Sequence, residues 1–231
     1  MRTTVVLSAG LLTALGAAAH CAAATLQVSV FDEAGKPLAD VAVYATAAHG
    51  DEQGATGAAA AALGSTPAPA PTAIMDQQNH QFVPHVLVVR TGTAVTFPNS
   101  DNVSHHVYSF SPTKPFELGL YKGNAYPPVV FDKPGIVVVG CNIHDSMLDY
   151  IRVVDTPHFT VTNQQGIARI DAVPNGAYAV EVWTPRVRAE SLPAAAHIAV
   201  VKDSVATEIR ITGRLAPAHG HGGGGLTWDR Y

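Results

Sequence analysis

Cysteine is almost absent from this chain of 231 residues, which contains only Cys21 and Cys141. Cys21 lies in residues 1–24, which carry one basic residue, an apolar centre and a small residue at Ala24, as a secretory signal does before its cleavage site. We predict that this signal is removed after Ala24, which leaves one cysteine and therefore no intramolecular disulfide. A lone thiol in an oxidising exported compartment is liable to oxidation, so Cys141 is expected either to bind a metal or to be buried as an inert apolar side chain.

Long apolar runs are missing as well. The apolar part of the signal, residues 5–15, falls short of the ~20 residues that a transmembrane helix needs. We therefore predict a periplasmic protein with no stable membrane insertion after the signal is removed. The alternatives are a short membrane anchor that is retained and a lipid anchor on Cys21, and the second is disfavoured because His20 stands where lipoprotein signals carry a small residue.

An excess of basic residues is also missing. The chain has 14 Lys and Arg residues against 18 Asp and Glu, a formal net charge of −4. Losing Arg2 with the signal leaves 13 basic against 18 acidic residues, a net charge of −5. This mild acidity argues against nucleic acid as a partner and leaves protein partners open.

Signatures of nucleophilic catalysis are absent too. Ser104 precedes His105 without the pattern of a nucleophile elbow. Cys141 and His144 lie in one short loop, and no third group is evident that would orient the histidine as a base. We therefore predict that the protein is not an enzyme and has no catalytic residues.

The stretch 135–154 carries the most specific pattern in the chain. Two short apolar runs, each typical of a buried strand, flank a tight loop that contains Cys141, His144 and Met147. Thiolate and thioether are soft ligands that suit Cu(I), imidazole suits both oxidation states of copper, and two histidines, a cysteine and a weak axial methionine form the blue-copper set. Zinc is the alternative metal, but methionine is an unusual zinc ligand.

The second histidine of such a site is expected in residues 95–110, which contain the adjacent pair His105 and His106. Side chains alternate between the two faces of a strand, so the two cannot both point into one interior. The strand pattern predicts that one of them reaches the metal.

Asn99, His105 six residues later, and the C-x-x-H-x-x-M loop together resemble the cupredoxin family, the plastocyanin- and amicyanin-like blue copper proteins. The resemblance implies one type 1 copper with His105, Cys141 and His144 as ligands and Met147 in the axial position. It covers essentially all of the central part of the chain.

The same resemblance points to two residues behind the ligands. It implies that Asn99 braces the cysteine loop by hydrogen bonds, and His106 stands where relatives usually carry an asparagine that also braces this loop. The implied function is single-electron transfer between periplasmic redox partners such as a cytochrome or a periplasmic dehydrogenase. The alternative is a copper-binding, delivery or docking module with no electron-transfer role.

Short strand patterns separated by turn signals predict an all-β protein. In the centre, where the resemblance implies a Greek-key cupredoxin β-sandwich, they fall at 82–89, 93–97, 105–110, 129–131, 136–140 and 150–154. Outside it, they fall at 25–30, 41–44, 158–162, 166–170, 177–183, 197–201 and 207–212. The outer patterns resemble a second, smaller β-sandwich of the carboxypeptidase-regulatory-like (transthyretin-like) family.

The two outer parts, 25–46 and 156–213, are predicted to fold together around a cupredoxin domain inserted at 74–155. An Ala/Gly/Pro-rich linker at 47–73 precedes the insert, and a flexible Gly/His tail occupies 214–231. In the alternative arrangement, the first two strands join the copper domain as edge strands.

Further histidines have weaker patterns. His80 and His85 flank the first central strand and are candidates for an auxiliary metal role, with ordinary polar contacts as the alternative. His219 and His221 in the tail can capture metal weakly, although a solvated tail is the simpler interpretation. The residues expected in the central core are Met75, Phe97, Tyr108, Phe110, Phe116 and Tyr121.

Overall fold

The computed structural model describes residues 23–48, 70–201 and 203–217. Cys21, most of the predicted signal and linker, and His219 and His221 of the tail lie outside these ranges. Within the described ranges, no helix is long and apolar enough to cross a membrane.

The described residues form seventeen β-strands and one turn of 3-10 helix at Ala189–Ser191. The strands are β1 (Ala23–Asp32), β2 (Ala42–Ala47), β3 (Thr72–Ile74), β4 (Asp76–Gln78), β5 (Gln81–Val83), β6 (Val86–Arg90), β7 (Thr93–Thr96), β8 (His105–Ser109), β9 (Phe116–Tyr121), β10 (Val129–Phe131), β11 (Gly135–Cys141), β12 (Leu148–Val154), β13 (His158–Val161), β14 (Ile167–Pro174), β15 (Gly176–Trp183), β16 (Ala196–Val200) and β17 (Ser204–Ile211). The predicted all-β fold class is confirmed.

Seven strands form an outer sandwich, with one sheet in the order β14-β1-β17 and the other in the order β13-β2-β15-β16. β1 runs antiparallel to β14 and parallel to β17, and β2 is antiparallel to both β13 and β15. Along β1, the side chains of Leu26, Val28 and Val30 are fully buried because alternate residues face the core. The first two described strands therefore share their sheets with the last five.

The ten strands in between form an inner sandwich with an attached hairpin. One sheet has the order β6-β12-β11-β8-β9, a second has the order β10-β7-β3, and β4 pairs with β5. Their apolar side chains form one buried cluster, which includes Met75, Phe82 and Phe131. Cys141 and Met147 belong to the same cluster, so two of the candidate ligands are part of the inner core.

The two sandwiches pack against each other through a third buried cluster. It contains Tyr44 and Trp183 from the outer sandwich and Val86, Val88 and Val154 from the inner one. This arrangement places the outer sandwich against the β6-β12 edge of the inner five-stranded sheet.

Several strands differ from the sequence-based expectation. The predicted strand 82–89 is split into β5 and β6 at Pro84, because proline has no N–H to donate to a ladder. The pattern did not predict β3, β4 or β9; in β9, Glu117 and Gly119 obscure the alternation.

Two predicted core residues are wrongly assigned. Tyr108 lies on the outward, partly exposed face of β8, outside the inner apolar cluster. Phe110 is 86% exposed, because it lies beyond the end of β8, whose inward positions are His105, Val107 and Ser109. Phe97 and Tyr121 are buried as predicted, and so is Met75.

The predicted cleavage point after Ala24 falls within β1. Ala24 is 2% exposed and pairs with Val173 of β14. The apolar contacts of the outer core therefore begin one residue before the predicted mature chain.

Candidate metal centre

The cysteine loop is a tight turn between β11 and β12. The two strands pair as far as Gly140 and Leu148, and next to that pair Cys141 N donates to Met147 O at 3.2 Å. Inside the turn, Met147 N donates to His144 O at 2.9 Å. These bonds bring Cys141, His144 and Met147 together at one end of the inner sandwich.

β8 brings a histidine to the same place. His105 is 0% exposed, whereas His106 lies on the opposite, partly exposed face of the strand. β8 pairs with the cysteine strand so that Val107 lies opposite Cys141. Of the adjacent pair, it is therefore His105 that enters the interior.

Three potential donor atoms converge there. His105 Nδ1 lies 3.0 Å from His144 Nδ1, and both nitrogens lie 3.6 Å from Cys141 Sγ. Bonds of about 2.0–2.3 Å to one metal ion place neighbouring donors roughly 3–4 Å apart, so these separations fit a shared ion. The cysteine is only 3% exposed, and the group is therefore a buried His-Cys-His set that could hold a metal.

Asp101 is the part of this centre that the sequence interpretation missed. Its Oδ2 lies 2.8 Å from His105 Nε2, so Nε2 carries the proton and Nδ1 keeps its lone pair for a metal. The carboxylate also accepts the backbone N–H groups of Asn79 at 2.5 Å and His80 at 3.0 Å. The sequence feature that could have indicated this contact is an aspartate four residues before a histidine, in a polar loop.

The charge of Asp101 follows from these contacts. Its partial burial raises the pKa of the carboxyl, but the hydrogen bonds from His80 N, His105 and Asn79 N outweigh burial and lower the pKa below its usual range. The carboxyl is therefore ionised at neutral pH and adds one negative charge behind His105.

Met147 is 1% exposed and lies in the same apolar cluster as Cys141. Both residues line a cleft of about 300 Å³ together with Tyr108 and Leu148. The Met147 side chain is thus buried in the same cluster as Cys141, and its backbone carbonyl accepts Cys141 N at 3.2 Å.

Asn99 does not brace the cysteine loop as the resemblance implied. Its Nδ2 donates to Val103 O and to Tyr121 O, both at 2.9 Å, and its Oδ1 accepts Asp101 N at 3.0 Å. These three bonds occupy the amide, so the buried side chain instead holds the loop before His105 against β9.

Among the described contacts of His106, the one with the cysteine loop is made by its backbone. Its carbonyl accepts Asn142 N at 3.0 Å, while its Nε2 lies 2.8 Å from Glu117 Oε1 on the outer face. Strand alternation directs the His106 side chain away from the interior, so it does not take the place of the bracing asparagine that relatives carry at this position.

His144 is the half-exposed member of the set. Burial, followed by repulsion from His105 and His80, lowers the pKa of His144, and Asp101 offsets part of this effect. The imidazole is therefore neutral at pH 7, which is the form that binds metals. The preceding Ile143 is 50% exposed, so an apolar side chain lies on the surface next to it.

His80 and His85, which were predicted to flank the first central strand, lie in different surroundings. The ring centroid of His80 lies 4.8 Å from that of His144 and 5.8 Å from that of His105. His85 instead pairs through Nδ1 with the fully buried carboxylate of Asp149, on a neighbouring part of β12. His80 thus lies beside the candidate metal centre, and His85 has the polar contact that was the alternative.

No family profile and no curated protein matches this chain. Several solved structures are similar to part of it. A copper-containing nitrite reductase from Thermus scotoductus SA-01 is 27% identical, covering 41% of this chain and 25% of its own, with a TM-score of 0.36. This chain therefore spans about a quarter of the length of that enzyme.

Two smaller proteins are also similar. A purple cupredoxin from Nitrosopumilus maritimus is 21% identical, covering 36% of this chain and 99% of its own, with a TM-score of 0.32. An amicyanin variant is 19% identical, covering 36% of this chain and 82% of its own, with a TM-score of 0.33. Each likeness concerns less than half of this chain.

Proposed function

We propose that this protein is an exported type 1 copper protein that carries single electrons between periplasmic redox partners. The observation that supports this function is the convergence of His105 Nδ1, His144 Nδ1 and Cys141 Sγ within 4.8 Å of one another. A buried cysteine thiolate together with two imidazoles is a donor set that suits copper in both oxidation states.

Four side chains would hold the copper in this proposal. His105, Cys141 and His144 are the strong ligands, and Met147 is the weak fourth ligand. Bound copper supplies a one-electron couple between Cu(II) and Cu(I). Because the protein provides all four ligands, no position is left for a substrate, and we infer that the protein is not an enzyme.

Asp101 prepares one ligand for this task. By accepting the Nε2 proton of the fully buried His105 at 2.8 Å, it selects the tautomer whose Nδ1 faces Cys141. Its contacts with the Asn79 and His80 backbone hold the carboxylate in place. The imidazole therefore does not need to reorient when it binds metal.

The charges around the centre influence its reduction potential. Two neutral imidazoles and one thiolate leave oxidised copper at a net charge of +1, and the Asp101 carboxylate brings the group to zero. A buried environment disfavours net charge, so Asp101 is expected to favour the oxidised state and to lower the potential.

His144 provides a route for electrons to the surface. It is half-exposed, and the adjacent Ile143 is 50% exposed, so a partner can dock within contact distance of a metal ligand. Redox encounters usually use small interfaces of this kind. We infer that the partner is a redox protein such as a cytochrome or a periplasmic dehydrogenase.

The first test is spectroscopic. The chain without its signal is mixed with Cu(II), and its visible and electron paramagnetic resonance spectra are compared with those of Cys141→Ser. We expect an intense thiolate-to-copper absorption band with narrow copper hyperfine splitting in the wild type and neither feature in the variant. A pale Cu(II) spectrum that does not depend on Cys141 would contradict the ligand set.

The second candidate function is copper binding and delivery without electron transfer. The observation that favours it is the partly solvent-open side of the centre, where His80 and His144 pack together. Rapid, reversible reduction without loss of copper supports the electron carrier. Release of Cu(I) to a weak chelator supports delivery.

We also infer that the inner sandwich is a copper domain inserted into the outer one. The pairing of β1 and β2 with strands β13 to β17 supports this division. In this arrangement the outer sandwich covers the β6-β12 edge and leaves the metal end of the inner sandwich to the partner.

A further inference from the structure

His80 occupies the tip of the β4-β5 hairpin, beside the metal centre. Both Asn79 and His80 have positive φ angles, 54° and 60°, and their backbone N–H groups bind the two carboxylate oxygens of Asp101. The same Asp101 carboxylate binds His105 at 2.8 Å. The hairpin tip is therefore attached to the carboxylate that orients a ligand.

The imidazole rings of this region are arranged from the surface inward. His80 is exposed, His144 is half-exposed, and His105 and Cys141 are buried. The rings of His80 and His144 meet edge to face, with centroids 4.8 Å apart and planes inclined by 82°. His80 and His144 are therefore the imidazoles of this group that a metal ion in solvent can reach directly, whereas His105 and Cys141 are buried.

His80 nevertheless lies outside the compact donor set. Among the described residues, the possible ligand atoms that lie within 4.8 Å of one another belong to His105, Cys141 and His144. His80 contacts the two histidines of this set through its ring. An exposed side chain changes rotamer within picoseconds to nanoseconds, so this imidazole can turn a nitrogen toward His144 and away again.

We propose that His80 and His144 form a capture site that binds copper first and transfers it to His105 and Cys141. This inference rests on the proposed copper centre and adds the path by which that centre is filled. His144 keeps its bond throughout, His80 is replaced by Cys141 and His105, and the thiol proton leaves to water. No electron is transferred in this ligand exchange.

The test measures how fast copper reaches Cys141. The metal-free protein is mixed with Cu(II) in a stopped-flow instrument, and the Cys141-dependent absorption band is followed. His80→Asn removes the imidazole, and asparagine tolerates a positive φ; His80→Gly provides a second variant that also accepts this backbone conformation. The matched control is His197→Asn, which removes an exposed imidazole from β16 in the outer sandwich.

We expect both His80 variants to take up copper about tenfold more slowly, the lower end of the effect that loss of a residue supporting a metal site has on affinity. The final spectrum should match that of the wild type, and His197→Asn should take up copper at the wild-type rate. An unchanged rate in both His80 variants would overturn the capture site.

A second outcome also counts against the proposal. If the His80 variants reach a different final spectrum, His80 is a resident ligand, not a transfer ligand. Failure of the copper centre itself would look different, because the wild-type protein would then show no Cys141-dependent band at all.

Discussion

Asp101 connects three parts of the metal centre at the scale of single residues. Its carboxylate receives the Nε2 proton of His105 and the backbone N–H groups of the β4-β5 hairpin, and its own N–H is held by Asn99. One side chain thus sets the tautomer of a candidate ligand, the position of a neighbouring histidine and the local charge. The centre therefore depends on a residue that binds no metal in the proposed ligand set.

Replacing Asp101 tests its electrostatic role. We expect Asp101→Asn to raise the reduction potential of the copper-loaded protein by on the order of 100 mV, because a nearby negative charge that favours Cu(II) is lost. The midpoint potential is measured by spectroelectrochemical titration. Asp132→Asn is the matched control, since that exposed carboxylate pairs with Lys114 and has no contact with the centre.

The outcome that would contradict this prediction is an Asp101→Asn potential equal to or below that of the wild type. The Cys141-dependent band serves as a check on the ligands, because its persistence shows that the variant still holds copper in the same donor set.

At the scale of elements, the centre is assembled where two connections meet. The end of β11 and the turn that follows it carry Cys141, His144 and Met147, and the loop before β8 leads to His105. Asn99 ties that loop to β9 through Val103 O and Tyr121 O. Rigid strands thus hold both connections, which keeps the donors close before any metal arrives.

Asn99→Ala tests how much these hydrogen bonds contribute to the stability of the protein. The substitution removes three hydrogen bonds of a buried side chain, so we expect the free energy of unfolding to fall by about 2–3 kcal/mol. Urea denaturation followed by circular dichroism measures the change. The control is Asn102→Ala, an exposed amide in the same loop, which is expected to change stability by less than about 0.5 kcal/mol. Equal free energies of unfolding for the two variants would show that the side-chain hydrogen bonds of Asn99 do not stabilise the fold.

At the scale of the whole molecule, the two sandwiches share a buried interface. Trp183 packs edge to face on Tyr150 of β12, with ring centroids 5.7 Å apart. Arg152 of the same strand donates to Tyr44 Oη at 2.7 Å across the interface. The outer sandwich therefore supports the strand that follows the cysteine loop, on the side away from Cys141.

Trp183→Ala tests whether the interface between the two sandwiches contributes to the stability of the protein without affecting the copper centre. Trp183 is 7% exposed, and truncating a large buried aromatic side chain costs about 3–5 kcal/mol, so we expect a loss of that size in urea denaturation. The Cys141-dependent band of the folded variant should be unchanged, because none of the proposed ligands belongs to the interface cluster. Phe110→Ala is the control, since that ring is 86% exposed and its loss should matter much less.

A marked change in the copper spectrum of folded Trp183→Ala would contradict this separation. It would mean that the interface sets the geometry of the cysteine loop through β12.

Local sequence patterns determined a large part of this protein. The period of two along each strand predicted the all-β class, and it showed that His105 and His106 must face opposite sides. The spacing of Cys141, His144 and Met147 placed three candidate ligands in one turn. These features depend on residues that are close in the chain, so their geometry follows from backbone periodicity and turn length.

Tertiary structure decided which distant groups meet. It directed the Asn99 amide to Tyr121, brought Asp101 and His80 to the candidate ligands, and left Phe110 in solvent. It also joined the first strands to the last five. Such partners are selected by the packing of whole sheets and by the need of each buried polar group for a hydrogen bond. The residue pattern of a single strand carries no information about either of these.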